Sequence, residues 1–366
     1  MTAGAWAEDA LDLLLQRVAE TAGEVGVRFP LYADPADGRW TTTGRGSWTG
    51  GFWAGLLWLR ARHTGSDADR AEAAAATTRL APWVEADTAT RGLIFWYGTA
   101  LATGDDAAGA LRGRAAMAAL AAWDQVLGLV PWGAALGGPR LRARADGVPG
   151  LAPLLATAGS EGQAAGAAHL HRHLDLCLPG ESRGEGAQRP CPAWRLDDAG
   201  GWVAERDPVP GWSRGEAWLL LAVADAVLHA DRSSRDSGRL SRAAELLLDR
   251  CEFLTGPLVP QAEAGHPDGF LDTSAAAIAA VALLKLARVP GAAWTSACAA
   301  RAEAVLHRLV HVHLTRAGSS RPAGMLLDGC YDARGGTAVR HELVWGDFFL
   351  ALGLSALLGR VDLRQV

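Results

Sequence analysis

The feature that most restricts the fold of this 366-residue chain is a helical hydrophobic pattern along nearly its whole length. Apolar residues recur at i, i+3, i+4 and i+7 in segment after segment, which is the period of an amphipathic helix. Gly, Pro or Asp stands at most of the breaks, where helices begin and end. The pattern predicts twelve helices, at 5–22, 50–63, 67–85, 92–103, 107–127, 147–158, 161–177, 213–230, 238–254, 273–287, 292–313 and 342–360.

Twelve helices joined mostly by short turns, with no alternating strands between them, predict an all-α fold. The arrangement that fits best is an (α/α)6 barrel, a ring of six helical hairpins with inner helices rich in Ala and Gly. No strict repeat of 30–50 residues is visible, which argues against a solenoid. No linker is visible either, so a single domain over residues 1–366 is expected.

Composition excludes several classes of function. The net charge of −5 leaves no basic surface for nucleic acid. No window approaches 18 uninterrupted apolar residues, so no membrane span is expected. The five cysteines are scattered and never spaced CxxC, which argues against a disulfide framework or a zinc site and for a reducing compartment. The N-terminal segment lacks the pattern of a signal peptide, so a cytoplasmic location is expected.

The stretch "WTGGFWAGLLW", from Trp48 to Trp58, is unusually rich in large rings. One interpretation is core packing, because aromatic side chains bury the most area per residue. The other is a platform for a sugar ring at the start of a helix, where glycines let a ligand approach the backbone. This segment alone leaves both interpretations open.

The longest irregular segment, 179–212, contains Trp194, Trp202 and Trp212. Its middle, "AWRLDDAGGWVAE", predicts a β-hairpin with a Gly-Gly turn. A long aromatic loop on a helical scaffold is usually functional. We therefore expect it at the same rim as Trp48.

Several motifs together resemble one enzyme group. They are "WTGGFWAGLLW", "ADGVPGLAPLLA" (Ala145–Ala156), "GWSRGEAW" (Gly211–Trp218), "DTSAAAIAA" (Asp272–Ala280) and "LVWGDFFL" (Leu343–Leu350). In this order and approximate spacing they resemble the unsaturated glucuronyl hydrolases of glycoside hydrolase family 88. The second motif is more similar to the unsaturated rhamnogalacturonyl hydrolases of family 105. The resemblance covers roughly residues 28–360 and implies an (α/α)6 barrel.

The resemblance also implies a reaction. Such enzymes hydrate the C4–C5 double bond of a 4,5-unsaturated uronic acid, and the product breaks down to release the aglycone. Asp146 matches the catalytic aspartate, which donates a proton and then accepts one from water. From the residues alone, Asp146 is also consistent with a plain N-cap.

Further residues match the family's substrate site. Arg214 is a candidate for holding a carboxylate or sugar hydroxyls, and pairing with a loop carboxylate such as Asp207 is the alternative. Asp347 is interpreted as a structural hydrogen-bonding residue of the last helix. The candidate substrate-binding residues are Trp48, Arg91, Trp194, Trp212, Arg214, Trp218 and Trp345.

The chain departs from the family pattern at three places. Family 88 has a His-Asp pair, with a second catalytic Asp, where this chain has Arg91 and Gly92. A neutral amide of the family is replaced by Glu216, which repels a uronate if it lies in the pocket. We expect Glu216 either in the pocket, as a second catalytic carboxyl, or turned away in a structural ion pair, and the pocket is favoured. Asp328 stands where relatives often have His.

Two histidine clusters raise the question of a metal. His169 and His173 share one helical face, and so do His307 and His311. No Glu or Asp completes an HExxH pattern, so solvated histidines on outer helices are the better interpretation. No metal is therefore expected. No phosphate loop, dinucleotide fingerprint or nucleophile elbow is present either, and no cofactor is expected.

The sequence therefore predicts an enzyme resembling glycoside hydrolases that acts on a sugar or a molecule like a sugar, with neither nucleic acid nor membrane as a partner. The default reaction is hydration-triggered hydrolysis of an unsaturated uronyl glycoside, with Asp146 and Glu216 as catalytic candidates. One alternative is a relative recruited to another hydration, elimination or glycoside cleavage on a modified sugar or natural product. Another is a non-catalytic sugar-binding protein. The sequence determines neither the exact substrate nor the oligomeric state.

Overall fold

A computed structural model describes residues 3–178, 180, 188–229, 235–266, 268–318 and 320–366. All twelve predicted helices are present in these ranges. They are α1 (Ala3–Val25), α2 (Gly50–Thr64), α3 (Asp67–Thr78), α4 (Tyr97–Thr99), α5 (Asp106–Ala121), α6 (Leu151–Ala156), α7 (Ser160–Cys177), α8 (Ser213–His229), α9 (Arg235–Arg250), α10 (Thr273–Leu286), α11 (Thr295–Arg308) and α12 (Val344–Leu357).

The predicted boundaries differ most around α4. The segment predicted as a helix over 92–103 is a π-helical turn, Gly92–Trp96, followed by the three residues of α4. Another π-helical turn, Leu309–His313, continues α11. The predicted end of the eighth helix, residue 230, lies outside the described residues, as do 179 and 181–187 of the long irregular segment.

Six alternate helices contact one another in a closed ring. α2 contacts α4 and α12, α10 contacts α8 and α12, and α6 contacts α8 and the π-helical turn before α4. The remaining helices, α1, α3, α5, α7, α9 and α11, each pack against at least one helix of the ring. This order of contacts is the one expected of six helical hairpins.

Aromatic rings from four ring helices meet at the centre. Phe52 of α2 lies 5.4 Å from Tyr97 of α4, 6.0 Å from Trp218 of α8 and 5.5 Å from Phe349 of α12, measured between ring centroids. All four side chains are buried. The helices approach closely because Gly51 has no side chain: a Cβ there would lie 2.3 Å from two backbone carbonyl oxygens of the π-helical turn before α4.

Seven strands within the described ranges correct the expectation of a chain without strands between the helices. A four-stranded antiparallel sheet has the order β2-β1-β7-β6, and a three-stranded one has the order β3-β4-β5. The strands are β1 (Phe29–Ala33), β2 (Trp40–Thr43), β3 (Arg142–Arg144), β4 (Ala193–Leu196), β5 (Trp202–Ala204), β6 (Gly329–Asp332) and β7 (Thr337–Leu343). The predicted hairpin is confirmed as β4 and β5, paired through Leu196 and Trp202.

None of the helices in the described ranges combines the length and the apolar composition needed to cross a lipid bilayer.

Candidate active site

A cavity of about 570 Å³ opens among the loops and strands that join the helices. Residues of both sheets line it, from β3 and β6, together with the first turn of α8. Four arginines and four carboxylic acids of the described chain contribute to its wall. They are Arg142, Arg144, Arg214 and Arg334, with Asp146, Asp207, Glu263 and Asp332.

Asp146 lies in this wall, in a short 3-10 turn that follows directly on β3. Its two carboxylate oxygens accept hydrogen bonds from Nε and Nη2 of Arg144, each at 3.0 Å. The Arg144 guanidinium also lies over the ring of Trp132, 4.7 Å from the centroid. Burial lowers the pKa of Arg144, but the charge and hydrogen bonds of Asp146 outweigh it, and the pKa is raised. The arrangement holds the carboxylate at the cavity in a bidentate ion pair.

His169 of α7 supports the turn that carries Asp146. Its Nδ1 accepts a hydrogen bond from the backbone N–H of Val130 at 3.0 Å, so the ring proton is on Nε2. Nε2 donates to the carbonyl oxygen of Gly147 at 3.3 Å. Burial, and then the neighbouring His173, lower the pKa of His169 well below its usual value. A neutral imidazole thus fixes the backbone next to Asp146.

The expectation of solvated histidines is wrong for one cluster. His169 and His173 are both buried, because their shared face of α7 packs inward. Burial lowers the pKa of His173 to about 4. His307 and His311 are exposed, as predicted, and stack on each other with 3.8 Å between centroids. No group of three or more His, Cys, Asp or Glu within the described ranges is placed to hold a metal ion.

Arg214 lines the cavity, but its guanidinium is hydrogen-bonded to other groups of the protein. Nη1 donates to Oδ2 of Asp272 at 2.7 Å and to the carbonyl oxygen of Cys330 at 2.5 Å, and Nη2 donates to the carbonyl oxygen of Tyr331 at 2.7 Å. The residue is only 4% exposed. The structural alternative for Arg214 therefore has support, with Asp272 rather than Asp207 as the partner.

Trp48, Trp212 and Trp218 all reach the cavity wall. Trp48 is partly exposed, and its Nε1 lies 3.5 Å from the hydroxyl of Tyr331. The other rings of its motif, Phe52, Trp53 and Trp58, are buried in the core. The core interpretation thus applies to three rings of the motif, whereas Trp48 lies in the cavity wall, where a platform for a sugar ring stays a prediction.

Two predicted tryptophans do not line the cavity. Trp345 is fully buried behind Trp48, with 4.9 Å between their ring centroids, so it supports the wall. Trp194 of β4 packs against the small cluster of Leu129, Ala143 and Leu176 and also against the main core. Strand β4 therefore directs Trp194 away from the rim where it was expected.

Glu216 lies outside the main cavity, which corrects the expectation of a catalytic carboxyl there. It is 4% exposed and lines a second cavity of about 170 Å³ on the other side of α8. Nη1 of Arg189 donates to its two carboxylate oxygens at 3.0 and 3.3 Å. Burial raises the pKa of Glu216 to about 7, although Arg189 opposes the rise. Residues two apart on a helix diverge by about 200°, so Arg214 and Glu216 face different cavities.

Arg91 is likewise not at the cavity. Its guanidinium is buried and donates to two backbone carbonyl oxygens, from Nε to Val84 at 3.0 Å and from Nη1 to Thr88 at 2.9 Å. The adjacent Gly92 packs against the loop before α6. A Cβ on Gly92 would lie 2.3 Å from the backbone nitrogen of Leu151 and 2.4 Å from the carbonyl oxygen of Pro149. This position has no room for an acidic side chain.

The sequence reasoning missed Arg142 and Arg144 as site residues. The signal was present in "RLRARADG", where arginines alternate with small residues directly before Asp146. Period two is the pattern of a strand, and residues i and i+2 face the same side. The prediction considered only helical periods in this segment and therefore missed the alternation.

Asp328 and Asp347 lie behind the wall. Asp328 pairs with His313, at 2.8 Å between Oδ2 and Nδ1. Asp347 is buried in the first turn of α12 and accepts a hydrogen bond from the backbone of Leu326. Burial raises the pKa of Asp347 well above its usual value. These contacts agree with the structural role expected for Asp347.

No protein-family model and no curated protein sequence matches the chain. Solved structures do match it. The unsaturated glucuronyl hydrolase of Bacillus sp. GL1 is 20% identical, with 96% of each chain covered and a TM-score of 0.82. The unsaturated glucuronyl hydrolase of Streptococcus agalactiae is 16% identical, with 100% of this chain and 94% of that chain covered and a TM-score of 0.82.

A variant of the Streptococcus agalactiae hydrolase in complex with dGlcA-GalNAc6S is also similar. It is 15% identical, with 97% of this chain and 92% of that chain covered and a TM-score of 0.74. At these identities the similarity concerns the fold. The chain therefore has the fold of the unsaturated glucuronyl hydrolases over nearly its whole length.

Proposed function

We propose that this protein is an enzyme that hydrates the C4–C5 double bond of an unsaturated uronyl glycoside and thereby releases the aglycone. The observation that carries the proposal is the position of Asp146. It lies in the wall of a cavity large enough for a sugar, beside aromatic rings, in a fold shared with unsaturated glucuronyl hydrolases. The complex of one such neighbour with dGlcA-GalNAc6S supports an unsaturated uronyl disaccharide as the substrate class.

The proposed reaction uses one carboxyl group and one water molecule. Protonated Asp146 donates its proton to C4, and water adds to C5 while the Asp146 carboxylate takes up the proton that this water loses. C5 then carries a hydroxyl group and the ring oxygen, so the ring opens to a ketone at C5. The hemiacetal left at C1 loses the aglycone as an alcohol. Trp48 and Trp212 provide ring faces against which a sugar packs.

A second candidate is a relative recruited to another acid/base reaction on a modified sugar or natural product. It is favoured by Gly92, because no acidic side chain fits where the resembling family has its second aspartate. Glu216 does not compensate, since it faces the second cavity. The remaining cavity carboxyl groups, at Asp207, Glu263 and Asp332, come from other segments. A sugar-binding protein without activity is the third candidate, and it does not depend on Asp146.

The proposal includes the architecture and the location. We take the closed ring of helices as an (α/α)6 barrel that forms a single domain, since one buried core includes residues of all twelve helices. A cytoplasmic location is supported by five cysteines that are all free and buried.

The test replaces Asp146 by Asn and measures turnover of unsaturated uronyl disaccharides. We expect Asp146→Asn to lower kcat by ~10²-fold or more, because a positioned acid/base contributes about that much. The matched control is Asp124→Asn: Oδ1 of Asp124 accepts two backbone N–H bonds in a turn outside the cavity, and Asn accepts them equally. Near-native turnover in a folded Asp146→Asn protein would exclude this mechanism.

A further inference from the structure

The ion pair between Arg144 and Asp146 raises a chemical problem for the proposed function. Both oxygens of Asp146 accept hydrogen bonds from a guanidinium. A proton donor must carry a hydrogen on one of these oxygens, but each of them already accepts a hydrogen bond from a cation. The hydrogen bonds from Arg144 therefore have to weaken before Asp146 acts as an acid.

Arg144 is the cavity arginine best placed to bind an anion. Arg214 is occupied by Asp272 and two carbonyl oxygens. Arg142 is paired with Glu205 at 2.7 Å, and Arg334 with Glu263 at 2.9 Å. Arg144 uses only Nε and Nη2, for Asp146, and its Nη1 makes no hydrogen bond to the part of the chain that the structure describes.

We propose that Arg144 binds the carboxylate of the substrate through its Nη1 side and that this second carboxylate enables Asp146 to take up the proton it donates. The proposal rests on the proposed function, since it names the residue that recognises the uronate. One guanidinium then faces two carboxylates that share its single charge. Two negative groups so close together favour protonation of one of them. The substrate itself thus converts Asp146 from a hydrogen-bond acceptor into an acid.

The geometry suits this role. The Arg144 guanidinium lies over the ring of Trp132, 4.7 Å from its centroid, and Arg142 faces the same side of β3. A substrate that Arg144 holds lies beside Asp146, because only one residue separates Arg144 from Asp146 in the chain. The charged or titratable groups around the pair are Arg142 on β3, His169 and His173 on α7, Glu205 and Asp207 after β5, and Arg214 on α8.

The experiment is calorimetric binding of glucuronate and of its neutral amide, glucuronamide, neither of which has the reacting double bond. We expect the wild-type protein to prefer glucuronate by tenfold or more, since a charge-assisted hydrogen bond contributes about that much. Arg144→Met should lose this preference while glucuronamide binding stays within about threefold. The matched control, Arg140→Met, removes an exposed arginine whose Nε donates to Asp87, and should keep the preference.

Titrations in buffers of different ionisation enthalpy measure the proton taken up on binding. Wild-type protein should take up as much as about one proton with glucuronate near pH 7, and Asp146→Asn should take up much less. Three results would each overturn the inference. They are that Arg144→Met keeps the preference for glucuronate, that the wild type takes up no proton, or that neither ligand binds. If the preference and the uptake are found but unsaturated uronyl glycosides are not turned over, the proposed function fails and the carboxylate site stands.

Discussion

Gly92 shows how a single residue limits the chemistry of the cavity. Its backbone touches the loop before α6 so closely that even one added carbon would meet backbone atoms of Leu151 and Pro149. The resembling family has a catalytic aspartate at this position. In this chain the close approach of two backbone segments occupies the space of that side chain. The lack of an acidic side chain at this position is therefore a consequence of backbone packing, and is more than a change of one functional group.

This packing predicts that the acid cannot be restored by substitution alone. Gly92→Asp should destabilise the protein by about 1–3 kcal/mol, the usual cost of overpacking, and should not raise activity on uronyl glycosides. Denaturant unfolding measures the effect, with Gly92→Ala included to separate volume from charge. The control is Gly109→Ala on α5, where a Cβ meets nothing within 4 Å. That change should stabilise the helix by up to about 1 kcal/mol. A Gly92→Asp protein as stable as wild type would refute the packing argument.

At the scale of single residues, the sequence predicted the cavity tryptophans and Asp146 because each stands in a recognisable local motif. It failed for Arg144 and for the buried histidines of α7, His169 and His173. The alternation in "RLRARADG" was a usable signal for Arg144. The positions of the two histidines depend on which segment packs on them, and no local pattern contains that information. For Glu216 the favoured position in the pocket was wrong, and the alternative of an ion pair turned away from it applies, with Arg189 as a partner that only the structure identifies.

Among the elements, the helices α8 and α10 illustrate what periodicity shows and what it hides. Their apolar pattern predicted both, and Asp272 caps α10, accepting hydrogen bonds from the backbone N–H groups of Ser274 and Ala275. The same pattern gave no sign that Lys285, the only lysine of the chain, lies fully buried between them. Its ammonium group donates to Asp225 of α8 and to the backbone oxygen of Val366. Short strands such as β2 and β6, of four residues each, were missed because so few residues do not establish a period.

The pair between α8 and α10 leads to a prediction about stability. Lys285→Met should destabilise the fold by about 3–5 kcal/mol, because it leaves Asp225 buried without a cation. The double change Lys285→Met with Asp225→Leu should recover most of the loss, since neither charged side chain of the pair then remains. Urea unfolding of the wild-type protein and both variants measures this. If the double variant is as unstable as the single one, the ion pair contributes by its own attraction and the explanation by an unpaired charge is wrong.

Across the whole molecule, buried ionisable groups act on stability in opposite directions as pH changes. Burial raises the pKa of Glu216 and of Glu342 to about 7. Burial lowers the pKa of His173 to about 4 and that of His169 well below its usual value. The folded chain therefore holds protons on its carboxyl groups that the unfolded chain releases, and refuses protons on histidines that the unfolded chain accepts. The carboxyl groups favour stability at acidic pH, and the histidines favour it near neutral pH.

The contribution of Glu216 can be isolated by comparing Glu216→Gln with the wild type, because all other groups cancel in the difference. A folded-state pKa of about 7 lies above the usual value of 4.5, so the stability from this carboxyl is fully present below about pH 4.5 and is lost as the pH rises through 7. Glutamine does not ionise and loses nothing over this range. The free energy of unfolding of the variant should thus rise relative to wild type by about 2–3 kcal/mol between about pH 5 and pH 8. Urea unfolding at both pH values measures the change, and the comparison at pH 5 serves as the reference for any loss of the Arg189 contact. A difference that does not vary with pH would mean that Glu216 stays ionised in its pair with Arg189 throughout.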